Sequence, residues 1–256
     1  MGCLHEPIRL SVTVEALVLL ALSIVGACIG SFIGTWSLRR TRGEQTLVGR
    51  SHCDHCGHGL SFAESVPIAS YLILRGRCGY CRASLDRLQL LAEVGGAFVV
   101  SSAWLVRPAE PGSLIGFCLL AALGLTLLAI AIHDLRTLTI PIALSLLTLA
   151  LSVGLAARAG ALPGGVVAAV VTALLLEAVR RGFARVARRE GLGVGDVWLI
   201  SALAVWLRVD TPLAVVVACV LGFAAALIDR GAHRRAFGPW IACAAWIVGL
   251  SSGIRL

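Results

Sequence analysis

The chain has 256 residues, of which 58% are hydrophobic and 14% charged, with a formal net charge of +8. A soluble domain carries about a quarter charged residues and at most about half apolar ones, so this composition excludes an ordinary soluble globule, a disordered chain and a collagen-like one. It points to an all-α polytopic membrane protein.

A helix needs roughly 20 mostly apolar residues to cross the hydrocarbon layer. Such stretches run, in chain order, over 15–38, 89–106, 113–133, 138–157, 161–179, 193–208, 212–229 and 237–254, which predicts about eight transmembrane helices. The first follows a short polar start and exceeds the core of a signal peptide. It meets no small-residue cleavage site before Arg39 and Arg40, so it is expected to stay. The 22 basic residues are all arginine. They crowd into 39–88, 180–189 and 230–235, with Arg136 in the loop between the third and fourth stretches. Arg9, Arg107, Arg158, Arg208 and Arg255 are left for the other side. The positive-inside rule then places both termini outside. The basic excess reflects this topology and anionic membrane lipid rather than nucleic acid, because no face interleaves these arginines with aromatics.

The expected organisation is an N-terminal segment and first helix over 1–38, a cytoplasmic loop over 39–88 and a seven-helix bundle over 89–256. The loop holds two Cys-x-x-Cys pairs, Cys53/Cys56 and Cys78/Cys81. Two intervening residues let both thiolates face one ion, and a second pair completes a tetrahedral zinc site. A reducing interior disfavours disulfides, and a four-thiolate shell leaves no open position for catalytic water, so the expected zinc is structural. Gly57 and Gly79 suit the tight turns. His52, His55 and His58 are expected to be solvated, and Cys3, Cys28, Cys118, Cys219 and Cys243 to be small buried hydrophobes.

Ionisable groups in or beside apolar helices are costly and are functional candidates. Asp134 ends the third stretch, and Asp196 follows Gly193-Val194-Gly195 directly before an apolar run. Glu93, Glu177 and Asp229 lie at or near other helix edges. The topology sets Asp134 and Asp196 near the inner surface. If they meet, they share a proton: the ionised member activates water and the protonated one polarises a peptide carbonyl. Each also has a plainer reading, Asp196 as a helix N-cap and Asp134 as the partner of Arg136. On these residues alone, a paired-carboxylate hydrolase stands level with a proton-coupled carrier. The carrier would use both aspartates as relays, but the sequence shows no repeated halves. A non-enzymatic assembly factor would use the cysteine loop for docking.

The order of the parts favours the hydrolase and keeps the carrier and the assembly factor as the weaker alternatives. Gly30-Ser31-Phe32-Ile33-Gly34 closes the first helix, and Cys53-x-x-Cys56, Val66-Pro67 and Leu74-Arg75-Gly76-Arg77-Cys78-x-x-Cys81 follow. Downstream come Asp134, Ile140-Pro141, Gly193-Val194-Gly195-Asp196 and Phe237-Gly238-Pro239. In combination these closely resemble the bacterial type IV prepilin peptidases, membrane aspartyl proteases with a Gly-x-Gly-Asp motif. The resemblance implies cytoplasmic-side removal of the leader from type IV prepilins or type II secretion pseudopilins at the bacterial inner membrane. It implies Asp134 and Asp196 as the catalytic pair and Cys53, Cys56, Cys78 and Cys81 as zinc ligands. It also implies methylation of the new N-terminus from S-adenosylmethionine, with Glu93 the candidate for methylation or substrate binding. The chain departs from the family pattern at Ser65, where Asn is usual, at Trp198, where Lys is typical, and over 85–89. These departures leave a peptidase without methyltransferase activity as the alternative.

Overall fold

The computed structural model describes residues 6–45, 51–106, 113–188, 191–228 and 235–252, with the backbone alone at 6–11 and 113. Asp229 and Cys3 lie outside the described residues. Each of the eight apolar stretches forms a helix. Among the described residues, five helical segments are long and apolar enough to cross a membrane: Val12–Thr41, Arg87–Leu105, Leu114–Thr137, Leu162–Ala187 and Val194–Ile228. The chain is a multi-pass membrane protein. The contacts divide it into two compact units, Met1–Leu105 and Val106–Leu256.

In the first unit, α1 (Glu6–Thr41) packs along α3 (Arg87–Leu105), with the short α2 (Ala69–Ile73) in the loop between them. In sequence α3 groups with the later helices, but its contacts are with α1. Glycine makes the crossing close. A methyl group on Gly26 would overlap the Gly96 carbonyl, and one on Gly30 would overlap the Ala92 carbonyl. In lipid, where apolar burial supplies little drive, such backbone approach and interhelical hydrogen bonds hold helices together. Ser23 Oγ and Ser101 Oγ lie 2.7 Å apart across this seam. The outer face of α1 exposes Leu17, Leu20 and Phe32, apolar chains suited to lipid.

The second unit is built on α4 (Ser113–Thr137), α5 (Ile142–Arg158), α6 (Leu162–Ala187), α7 (Val194–Leu207), α8 (Thr211–Ile228) and α9 (Gly238–Ser251). Its core runs along α7, which is buried almost continuously from Leu199 to Leu207 and packs against α5, α6 and α9. Leu120, Leu123, Leu127 and Ile130 of α4 and Ala244 and Ala245 of α9 fill the same interior. Trp206 tilts against Trp246 at 6.5 Å between ring centroids. Left-handed Arg208, at φ 53°, breaks the apolar run between α7 and α8. Left-handed Leu138 turns the chain from α4 into α5. The predicted eight helices therefore exist, but α5 has 17 residues and α7 and α9 have 14 each. At 1.5 Å per residue, the last two rise only about 21 Å. Cys28, Cys118, Cys219 and Cys243 are exposed rather than buried, because the outer face of a membrane helix is itself an apolar environment.

Candidate active site and metal centre

Asp134 lies in the last turn of α4, and its side chain is buried. Its Oδ2 accepts a hydrogen bond at 2.8 Å from the backbone N–H of Gly238, the first residue of α9. Asp196 is the third residue of α7, three positions after the N-cap Gly193, so it is not itself the N-cap. Its carboxylate folds back over that glycine: a Cβ on Gly193 would lie 2.9 Å from Asp196 Oδ2. A carboxylate in the first turn faces amide groups that have no partner within the helix, and it complements the helix dipole.

Ile140 seats the two helix ends. A Cβ on Gly195 would come within 3.1 Å of Ile140 Cβ, so the Ile140-Pro141 turn lies flush on the start of α7. Two full helices separate Asp134 from Asp196 in sequence, yet Asp196 is within electrostatic reach of Asp134. Trp198, two residues further along α7, is exposed.

The four loop cysteines come together. Cys53, Cys56, Cys78 and Cys81 offer sulfur atoms that all lie within 4.8 Å of one another. The Cys53 and Cys81 sulfurs are 3.8 Å apart. A tetrahedron with metal–sulfur bonds of about 2.3 Å has edges of roughly 3.8 Å, the Cys53–Cys81 separation, so the four thiols could hold a zinc ion. Two similar knuckles build it. Cys53 N–H donates to His58 O and Gly57 N–H to Cys53 O; Cys78 N–H donates to Ala83 O and Arg82 N–H to Cys78 O. The left-handed residue in the first knuckle is Gly57, at φ 70°, as expected. In the second it is Arg82, at φ 61°, not Gly79. The reason is register: both fall four residues after the first cysteine, where the N–H must turn back to that cysteine's carbonyl. Gly79 serves close approach instead, since a Cβ there would lie 2.7 Å from Glu64 Oε1.

The four thiols are electrostatically unequal. N–H groups of Cys81 and Tyr80 pull Cys78 down to about 6. The His58 backbone pulls Cys56 down, but burial and hydrogen bonding to the other three thiols push it up to about 12. His58 stacks on Tyr80 at 5.1 Å, and its Nε2 stands 3.9 Å from Glu64 Oε2. Hydrogen bonds from Ser61 N–H and Oγ, with the nearby His58, hold the Glu64 carboxyl below its usual range. The three loop histidines are exposed, as expected.

Glu93 is buried in α3. Its Oε1 accepts from Ser31 Oγ at 2.9 Å and Gln89 Nε2 at 3.2 Å, and its Oε2 from Ile68 N–H at 2.7 Å. Ile68 holds φ 62°, a region that β-branched residues rarely occupy, so this bond secures a strained turn. The carboxylate thus ties α1, the Val66-Pro67-Ile68 turn and α3 together. It also lines a cavity of about 240 Å³ within the first unit, beside Ser31, Asp86 and Gln89. Glu177 forms a three-membered ion cluster with Arg180 and Arg181 on α6. Sequence reasoning found the aspartates, the cysteines and Glu93 but missed Gly238, Ser31 and Ile68 as their partners. The Phe-Gly-Pro at the start of the last apolar stretch was the available signal for Gly238.

Residues 24–106 match the model of the bacterial peptidase A24 N-terminal domain, and residues 118–227 that of the type IV leader peptidase family. A prepilin leader peptidase/N-methyltransferase of Burkholderia pseudomallei is 35% identical over 204 residues, covering 76% of this chain and 65% of that protein. Proteins of the same name from Pseudomonas putida and Pectobacterium carotovorum are 34% and 32% identical, over 78% and 80% of this chain and 71% and 76% of their own lengths. The chain thus spans just under two thirds of the first of these relatives. No solved structure matches it. With both family models matched in order along the chain, and relatives above 30% identity over most of its length, the chain belongs to the type IV leader peptidase family.

Proposed function

We propose that this chain is an integral membrane aspartyl endopeptidase that removes the leader from type IV prepilins or type II secretion pseudopilins. The observation that carries the reading is the buried Asp134 at one helix end within electrostatic reach of Asp196 at another. On this reading the two carboxylates share one proton. The ionised member takes a proton from water, whose oxygen attacks the scissile carbonyl carbon. The protonated member donates to the carbonyl oxygen, and a carboxylic acid then delivers a proton to the departing amine. The arginine distribution supports a location at the inner membrane with about eight membrane-crossing helices, both termini outside and the aspartates and cysteine loop at the cytoplasmic face. The basic leader would remain at that face. Zinc held by Cys53, Cys56, Cys78 and Cys81 would close the loop and take no chemical part.

We further propose that the chain methylates the new amino terminus, and that the cavity beside Glu93 receives S-adenosylmethionine. That cofactor supplies an electrophilic methyl group on a positively charged sulfur. The lining is rich in carboxylates, which suits a cation: among the described residues Glu44, Asp54, Glu64, Asp86 and Glu93 line it with Arg39, Arg42 and His52, and Arg42 pairs with Asp54. Glu93 would act by holding the cavity wall, since both its oxygens already accept hydrogen bonds. The test is incubation of the purified chain with a prepilin, followed by N-terminal mass analysis of the product. Cleavage with an added methyl group meets the full reading, cleavage without it leaves the peptidase alone, and an intact prepilin overturns both.

A further inference from the structure

We infer that Gly238 is a positioning residue for Asp134: its backbone N–H at the start of α9, beside that of Phe237, holds the carboxylate in one orientation for the reaction. The inference rests on the proposed role of Asp134 and extends it to a residue 104 positions away.

The start of α9 leaves little choice of donor. Phe237, at the N-cap, has no side chain able to satisfy the amides of the first turn. Pro239 has no N–H. The N–H groups of Trp240 and Ile241 both turn back to Phe237 O, at 3.1 and 3.2 Å. That leaves the N–H groups of Phe237 and Gly238, both turned to the Asp134 carboxyl, with Gly238 donating to Oδ2 at 2.8 Å in a buried bond. Asp134 of α4 therefore caps α9 from another helix, with the positive end of that helix's dipole behind it. Glycine at 238 also leaves room for the carboxylate. A Cβ there would lie 2.8 Å from Asp134 Oδ2 and 3.3 Å from both its Cβ and Cγ, so any side chain takes the space the carboxylate occupies. An amide on one oxygen and a backbone wall against the carboxylate restrict its rotation. A carboxylate that must present a defined oxygen to water gains from such restriction.

Gly238→Ala tests this in the purified full chain with a prepilin substrate. The expected result is a fall in kcat of about 10- to 100-fold, with KM for the prepilin within about twofold of the unmodified protein. Gly222→Ala is the control. Its added methyl would meet Trp240 and Phe237 ring carbons at 3.3–3.5 Å, disturbing the same helix start without reaching Asp134, and kcat should hold. A folded Gly238→Ala protein with undiminished kcat overturns the inference. Should that variant not accumulate, the chain labelled with ¹⁵N-glycine decides. The Gly238 amide proton should resonate downfield and move upfield in Asp134→Ala but not in Gly222→Ala. A resonance indifferent to Asp134→Ala overturns the inference. Failure of the catalytic reading is separate: there, Asp134→Asn would still cleave, whatever the amide proton does.

Discussion

The Ile68 N–H donates to Glu93 Oε2 at 2.7 Å, so a carboxylate inside α3 fixes the backbone of the loop that carries the cysteines. Ser31 and Gln89 converge on the same side chain. Removing this acceptor takes from the half-buried Ile68 N–H and Ser31 Oγ–H the partner they share, which costs more than losing one exposed hydrogen bond.

Glu93→Ala should therefore lower the stability of the first unit by about 1–3 kcal/mol. Glu93→Gln, which keeps an oxygen, should cost less. Thermal unfolding of the detergent-solubilised chain, with proteolysis of the 63–86 loop as a local readout, checks the order. On the proposed methylation role, both variants should lose methyl transfer before they lose leader cleavage. Equal stability of the Ala variant would refute the anchoring.

Asp134→Asn and Asp196→Asn should each reduce leader cleavage by about 10⁴-fold or more, since neither half of a proton-sharing pair works alone. Membrane insertion and steady-state level should persist. Co-expression with a prepilin, read by gel mobility and product mass, measures this. Undiminished cleavage by either variant removes the catalytic assignment.

Single Cys→Ser changes at Cys53 or Cys78 should abolish stoichiometric zinc, about one ion per chain, and open the loop to protease. Both cysteines are buried, unlike Cys56 and Cys81, so their replacement also disturbs the knuckle interior. Elemental analysis of the purified chain provides the metal count. Full protease resistance after chelation would contradict a structural ion.

Glu64 predicts a pH dependence. Hydrogen bonds from Ser61 hold its folded pKa below the ordinary value of 4.5, so its contribution is fully present above that value. The contribution is lost as pH falls through the lowered folded value. The gap in melting temperature between the natural chain and Glu64→Gln should thus be widest above about pH 4.5 and close on acidification. A gap that is constant with pH would rule out this carboxylate as the cause.

Much of this arrangement could be read in the sequence, because its strongest signals are local. Twenty apolar residues in a row have few alternatives to a helix, and two Cys-x-x-Cys pairs have few alternatives to a metal. The cysteine cluster and the eight helices follow from that. What escaped is set by tertiary contact. Nothing near Gly238 in the chain points to Asp134, because the bond depends on how α9 meets α4. The left-handed Arg82 was hidden for a different reason. Knuckle geometry assigns that conformation by position, and at that position the chain carries arginine where the first knuckle carries glycine. Ile68 likewise adopts a backbone its own side chain opposes, held there by Glu93.

The 14-residue helices α7 and α9 begin at the two candidate acidic sites and are shorter than a hydrocarbon layer of roughly 30 Å. Both are largely buried in the second unit, so the lipid-facing helices around them carry the difference and headgroups must sink toward the helix starts, a mismatch costing fractions of a kcal/mol per ångström. Acyl-chain length thereby becomes a variable the protein feels at its polar end. Thin bilayers relieve the mismatch, whereas thick ones draw the Asp134–Gly238 and Asp196 ends toward hydrocarbon. Reconstitution across a series of lipid lengths should accordingly find an optimum on the short side, set by the reach of these two helices.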